Sequence, residues 1–180
     1  MISELDVLRI VSERLDAAQI PYMLTGSYAL AFYTTPRMTR DLDLVISLSD
    51  DDVGAIVKVF ESDFYIDSDA VRSAVLSQRQ FNLMHLESGI KVDLIIRKAA
   101  EYRQVEFARR QQVTFAGVKT WIATREDLIL SKLVWAKDSE SELQQRDVRS
   151  LIDPSVDRKY VEQWAKRLGV DMLLRKVVHE

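Results

Sequence analysis

Two carboxylates one residue apart, Asp41 and Asp43, stand in the apolar run "DLDLVIS" (41–47), and a third, Asp93, stands in "IKVDLII" (90–96). Strands disfavour aspartate, so lone acids inside β-branched runs call for a reason. On an extended chain residues i and i+2 share a face, which puts the two carboxylates of Asp41 and Asp43 on one side with Cα atoms roughly 6–7 Å apart, and Leu42 and Leu44 on the other. Ionised carboxylates pressed together repel until one takes up a proton or a cation arrives. An all-oxygen set suits Mg²⁺ or Mn²⁺ over softer ions, and a neighbouring strand carrying Asp93 would complete it. The alternative for the pair alone is an exposed edge strand whose acids are neutralised by Arg37 or Arg40.

Upstream, Gly26-Ser27 follows the short apolar run "YMLT" and precedes a helical stretch. Glycine at a strand-to-helix turn lets backbone approach a ligand closely, and the helix start presents unpaired N–H groups to phosphate oxygens. A Ser27 hydroxyl would add a bond to the same phosphate, or serve only as a cap. Other chemistries are poorly supplied. Cysteine is absent, which removes thiolate nucleophiles, disulfides and zinc-thiolate sites, and histidine occurs only at positions 85 and 179.

The elements that must position these residues read as mixed α and β. Leu5, Leu8, Val11, Leu15 and Ala18 recur at helical spacing over 3–18, ending near Pro21. The pattern then predicts a strand at 22–25, a helix from Gly26 to about Tyr33, the strand 41–47, and a helix to about Phe60 opened by a capping box in "SDDD" (49–52). A short strand follows at 64–66, then a helix at 69–77 and two strands about a Ser-Gly turn in "QFNLMHLESGIKVDLIIR". A helix is expected from Val105 through Arg110, a strand pair around Gly117, and a helix from "TREDLILSKLVWAK" in which Thr124 and Asp127 match the capping box. Helices at 140–152 and 157–168 close the chain, separated by Pro154, the second ended by Gly169. The fold class that follows is α+β, a mixed β-sheet flanked by helices, divided into an α/β core over 1–123 and a C-terminal helical region over 124–180 packed on it.

At 180 residues and 47% hydrophobic the chain can bury one sizeable core. No run approaches the roughly 20 apolar residues a membrane span needs, and the N-terminus lacks a signal-peptide core, so a soluble, cytoplasmic protein without a membrane partner is expected. Charge is uneven: residues 1–96 carry 8 Lys/Arg against 15 Asp/Glu, and the remainder 17 against 13. An acidic half beside a mildly basic one suits a cation meeting a phosphate-bearing ligand.

Taken as a set, Gly-Ser, then "PRMTRDLDL", then a later strand aspartate resembles the nucleotidyltransferase superfamily of the DNA polymerase β type. The stretch "TGSYALAFYTTPRMTRDLDLVI" is similar to its minimal bacterial branches, the AbiEii-type toxins and the small antibiotic nucleotidyltransferases. The resemblance implies a Mg²⁺- or Mn²⁺-dependent enzyme that moves a nucleoside monophosphate from a nucleoside triphosphate to a hydroxyl acceptor. That acceptor would be an RNA such as tRNA, a protein or a small molecule, and a toxin would have a cognate antitoxin as partner. It also implies roles: Gly26 and Ser27 on the triphosphate, Asp41 and Asp43 on the metal, and Asp93 on the metal and in activating the attacking hydroxyl. Arg37 and Arg40 would clamp phosphate. "EDLILSKLVWAKDSESELQQRDVRSLI" is similar to the family's K…(R)D…L segment, implying that Lys132 meets the triphosphate and that Asp147 accompanies it; the alternatives are a solvated lysine and an aspartate paired with Arg146, Arg149 or Lys132. Two other function classes compete, a non-catalytic binding module on the same fold and a metal-dependent phosphohydrolase, the latter disfavoured by the scarcity of histidine.

The remaining conspicuous residues receive structural readings. Trp121, Trp135, Trp164, Tyr102 and Tyr160 are read as core or contact aromatics, His85 as a strand residue without a partner, and "ARRQQ" (108–112) as a solvated helix end.

Overall fold

The computed structural model of the protein describes residues 1–35 and 41–179. Helix α1 (Glu4–Ala17) starts where predicted because Ser3 and Asp6 form a reciprocal capping box, and it buries Val7, Leu8, Val11 and Leu15 on one face. After it come β1 (Tyr22–Thr25), α2 (Gly26–Tyr33) and β2 (Leu42–Ile46). Ser49 and Asp52 form the second capping box, opening a turn of 3₁₀ helix that runs into α3 (Val53–Phe60). Next are β3 (Phe64–Tyr65), α4 (Ser68–Ser77), β4 (Gln80–His85) and β5 (Lys91–Ile96). The chain continues through α5 (Glu101–Ala108), β6 (Gln111–Phe115), β7 (Val118–Ile122), α6 (Arg125–Ser139), α7 (Glu142–Leu151), α8 (Arg158–Leu168) and α9 (Asp171–His179).

Among the described residues the strands form one mixed sheet in the order β3-β4-β5-β2-β1-β7-β6. β2 is antiparallel to β1 and parallel to β5, and this central trio holds Asp43 and Asp93, with β1 ending at Thr25, next to Gly26. Alternation on β2 is regular: Leu42, Leu44 and Ile46 are buried while Asp43 and Val45 face the other side. The main core joins that leucine face to α1, α3 and α4 and continues into the C-terminal helices through Leu128, Leu133, Val148, Val161 and Leu174. A smaller cluster of Met23, Phe107 and Ala123, with Val45 packed against it, lies on the opposite face of the sheet.

Several sequence expectations are corrected. α5 begins four residues before Val105 and ends before Arg110, so "ARRQQ" is a helix end followed directly by β6. It is not a solvated end: Arg109 binds the buried carboxylate of Asp127, and Arg110 stacks on Phe107 and Trp121. A further helix, α9, follows Gly169, whose left-handed backbone (φ 66°) closes α8. Trp135 projects into solvent, because the helix positions that pack inward around it are filled by Leu133 and Ala136. His85 is buried, with Nδ1 2.9 Å from Ser88 Oγ in the following turn and its ring edge-on to Phe64.

Candidate active site

The site grows from the β1–α2 junction. Thr25 ends β1 directly opposite Asp43 on β2, and Gly26 then turns the chain with φ 64°, a left-handed conformation that glycine adopts without strain. Space is a second reason for glycine there: a Cβ on Gly26 would stand 2.2 Å from Asp43 Oδ2. The backbone at the start of α2 is therefore laid against the carboxylate. Thr25 gives α2 no side-chain cap and the first turn holds no acid, so that turn brings no negative charge of its own to the positive end of the helix dipole. Ser27 follows at the second helical position, half-buried.

Asp43 and Asp93 are direct partners across the parallel β2/β5 ladder and point to the same face. Adjacent strands lie about 4.8 Å apart, so the two carboxylates are close neighbours. Burial, then the charges of Asp93 and Asp41, push the Asp43 carboxyl up to about 6, against the pull of Lys132 and Lys91. Asp93 has one oxygen, Oδ2, 3.1 Å from Lys91 Nζ, while Oδ1 is buried without a hydrogen-bond partner. An acceptor oxygen buried bare beside a second carboxylate is a costly arrangement for a protein alone, and it fits a site meant for a cation. Asp41 lies exposed just before β2, where the ladder no longer fixes it, yet near enough to raise Asp43. Among the described residues no three acids or histidines converge closely enough to hold a metal ion as they stand. The carboxylates repel one another, and Lys91 takes one oxygen of Asp93.

Lys132 and Asp147 approach from α6 and α7. The ammonium of Lys132 is buried and donates to Asp147 Oδ2 at 2.7 Å and to Gln144 Oε1 at 3.1 Å. This overturns the solvated-lysine alternative and realises the Lys132–Asp147 pairing. Its influence on Asp43 places that charge within electrostatic reach of the carboxylates. Arg37 and Arg40 lie outside the described residues.

Sequence reasoning missed the polar network that holds α6 in place. Asp127 is fully buried and accepts from Thr124 Oγ1 (2.6 Å), Arg109 Nε (2.9 Å), Tyr160 OH (2.7 Å) and Tyr102 OH (3.3 Å). Beside it, buried Glu106 accepts from Arg103 at 2.8 Å and from Ser131 at 2.5 Å, burial holding its carboxyl above the usual range. Asp127 is thus more than a cap: it joins α5, α6 and α8 around one carboxylate. The available signal was the concentration of Arg and Tyr in "EYRQVEFARR" and "DRKY", whose tyrosines read as core or contact aromatics and whose paired arginines read as a solvated helix end.

No family model and no curated protein matches the chain by sequence. Solved structures do match in shape. An antigenic nucleotidyltransferase-like protein from Paracoccidioides brasiliensis superposes with a TM-score of 0.64 at 21% identity, covering 96% of this chain and 88% of that one. The antibiotic-resistance factor ANT(2'')-Ia aligns over 98% of both chains with a TM-score of 0.61 at 15% identity. The lincosamide antibiotic adenylyltransferase LnuA reaches 0.54 at 12% identity over 80% of this chain and 93% of its own. Identity at this level speaks for architecture alone, and on that architecture the three agree: the chain has the nucleotidyltransferase-superfamily fold.

Proposed function

We propose that the protein is a divalent-metal-dependent nucleotidyltransferase that moves a nucleoside monophosphate from a nucleoside triphosphate to a hydroxyl acceptor. The observation that carries this reading is the side-by-side placement of Asp43 and Asp93 with a bare, buried oxygen, closed on one side by the Gly26 turn. Asp43 and Asp93, with Asp41 drawn in from the edge of β2, would hold Mg²⁺ or Mn²⁺. Such an ion supplies charge neutralisation at the transferring phosphoryl group. The backbone of Gly26, the start of α2 and the Ser27 hydroxyl bind the β and γ phosphates, and Lys132 adds positive charge beside them. The acceptor oxygen forms a bond to the α-phosphorus as the bond to the bridging α–β oxygen breaks. Pyrophosphate leaves, and the hydroxyl proton passes to the Asp93 carboxylate.

The acceptor has two readings. The Lys132 and Asp147 segment resembles AbiEii-type toxins, favouring RNA such as tRNA or a protein, with a cognate antitoxin. The likeness to ANT(2'')-Ia, a protein observed with adenylyl-2''-tobramycin, favours a small molecule. Incubation with each α-labelled triphosphate, Mg²⁺ and in turn total tRNA, a protein extract and an aminoglycoside and lincosamide panel tests both. Label should enter one acceptor class and release pyrophosphate. A protein that binds no Mg²⁺-triphosphate and labels nothing contradicts the assignment.

A further inference from the structure

The sheet face that carries Asp43 and Asp93 does not end with them. Asp93, Ile95 and Arg97 alternate onto the same side, and the ladder continues through Arg97, whose N–H donates to Ile46 O at 2.9 Å. Four residues of extended chain separate Asp93 from Arg97, about 13 Å. Arg110, just after α5, reaches the same place. The two guanidiniums lie over one ring: Arg97 Cζ is 5.4 Å and Arg110 Cζ 4.4 Å from the centroid of Phe107, and Arg110 is also 5.0 Å from that of Trp121. Phe107 belongs to the cluster with Met23 and Val45, which fixes the pair to the Asp43 side of the sheet.

Two permanent cations sharing a ring is an unfavourable arrangement unless an anion joins them. Among the described residues neither arginine meets a carboxylate. The only side-chain hydrogen bond is from Arg110 to Phe107 O at 2.8 Å, and the Nε of both arginines is buried without an acceptor. Burial and the nearby Arg97 hold Arg110 below its ordinary value. Stacking on aromatics orients a guanidinium but does not neutralise it. By contrast Arg14, Arg103, Arg109, Arg125 and Arg167 all engage acids.

We infer that Arg97 and Arg110 form an oxyanion subsite for a phosphoryl group, separate from the triphosphate pocket and on the same sheet face as the carboxylate pair. Resting on the proposed transfer activity, it offers a place for an anionic group away from the acceptor's reacting hydroxyl. The phosphoryl group could be a phosphodiester within an acceptor strand or free phosphate, and the two are separable by experiment.

Binding of inorganic phosphate, read by fluorescence of the Trp121 indole beneath Arg110, and of a labelled single-stranded RNA 12-mer, read by anisotropy, is measured for wild type, R97Q, R110Q and the double variant. A Mg²⁺-bound non-hydrolysable triphosphate is the control. The expected result is at least a tenfold loss of RNA affinity in the double variant with triphosphate affinity within twofold of wild type. R110K, which keeps the charge and loses the planar fork, should fall between. Phosphate binding lost with no RNA binding in any protein assigns the site to free phosphate. Equal affinities for both probes in wild type and double variant overturn the subsite and leave the arginines as packing. Loss of triphosphate binding in wild type strikes the transfer activity instead. Should the glutamine variants unfold, stabilisation of wild type by sulfate over chloride at equal ionic strength, reduced in R110K, reads the same site; no difference between the anions counts against it.

Discussion

Asp127 and Asp43 are the same residue in opposite circumstances. Asp127 has no exposed surface, yet every lobe of its carboxylate is met by a donor, from Thr124, Arg109, Tyr102 and Tyr160. Asp43 is less buried but accepts no hydrogen bond from a described residue, and its immediate neighbour is another carboxylate. The folded chain satisfies the first carboxylate from its own donors and leaves the second beside a like charge. Burial does not separate the two roles; satisfaction does.

The comparison is broken most sharply from the structural side. Asp127→Ala should cost about 3–5 kcal/mol of stability in urea unfolding, because Arg109 and two tyrosine hydroxyls lose their common acceptor. A cost under 1 kcal/mol would mean the network is ornamental. Lys132→Met comes next, at about 3 kcal/mol, since it removes the buried ammonium that Asp147 Oδ2 and Gln144 Oε1 both meet. The double variant Lys132→Met/Asp147→Leu should recover most of that stability while binding triphosphate about tenfold more weakly. Full recovery of both properties would remove Lys132 from the nucleotide site.

The carboxylate pair is sharpened by pH. Asp43 has its folded pKa raised to about 6 from an unfolded value of 3.8, so between these values the native state binds more protons than the unfolded chain. Stability is therefore greatest below pH 4 on account of this group and declines as pH rises through 6, by up to about 3 kcal/mol. In Asp43→Asn that decline should vanish, with nucleotide transfer lost. Saturating Mg²⁺ should offset the decline in wild type. An unchanged pH slope in the variant, followed by chemical denaturation, would point to another group. The smallest effect on stability is expected for Gly26→Ala, about 1–2 kcal/mol for left-handed strain. Its methyl group displaces the Asp43 carboxylate, so transfer activity should fall further than stability does.

Much of this was legible in the chain, for reasons that differ by region. The β1–α2 turn, the acid-bearing strands and the capping box at Ser49 depend on neighbours a few residues apart, and local pattern reports such dependence directly. Asp127 was recognisable as a cap because Thr124 is three residues away. Its bonds to Arg109 and Tyr160 span 18 and 33 residues, and no local pattern carries them. α9 was overlooked because Gly169 reads as an ending, and nine residues after a stop offer little periodicity to count. Arg97 and Arg110 were invisible for the same reason as Asp127: only the fold lays both over Phe107.

The parallel pairing of β2 with β5 has a consequence for how the chain reaches this state. Asp43 and Asp93 are fifty positions apart, and everything from the Ser49 capping box to the β4–β5 turn must be bridged before they meet. No tight turn can nucleate such a pair, so the ladder forms at a high loop-closure cost and then brings two like charges together. If the ladder is already zipped at the rate-limiting step, Asp43→Asn speeds refolding and leaves unfolding nearly unchanged. If it zips afterwards, the variant unfolds more slowly and refolds at the wild-type rate. The two limbs of a denaturant chevron therefore date the moment at which the two charges are forced together.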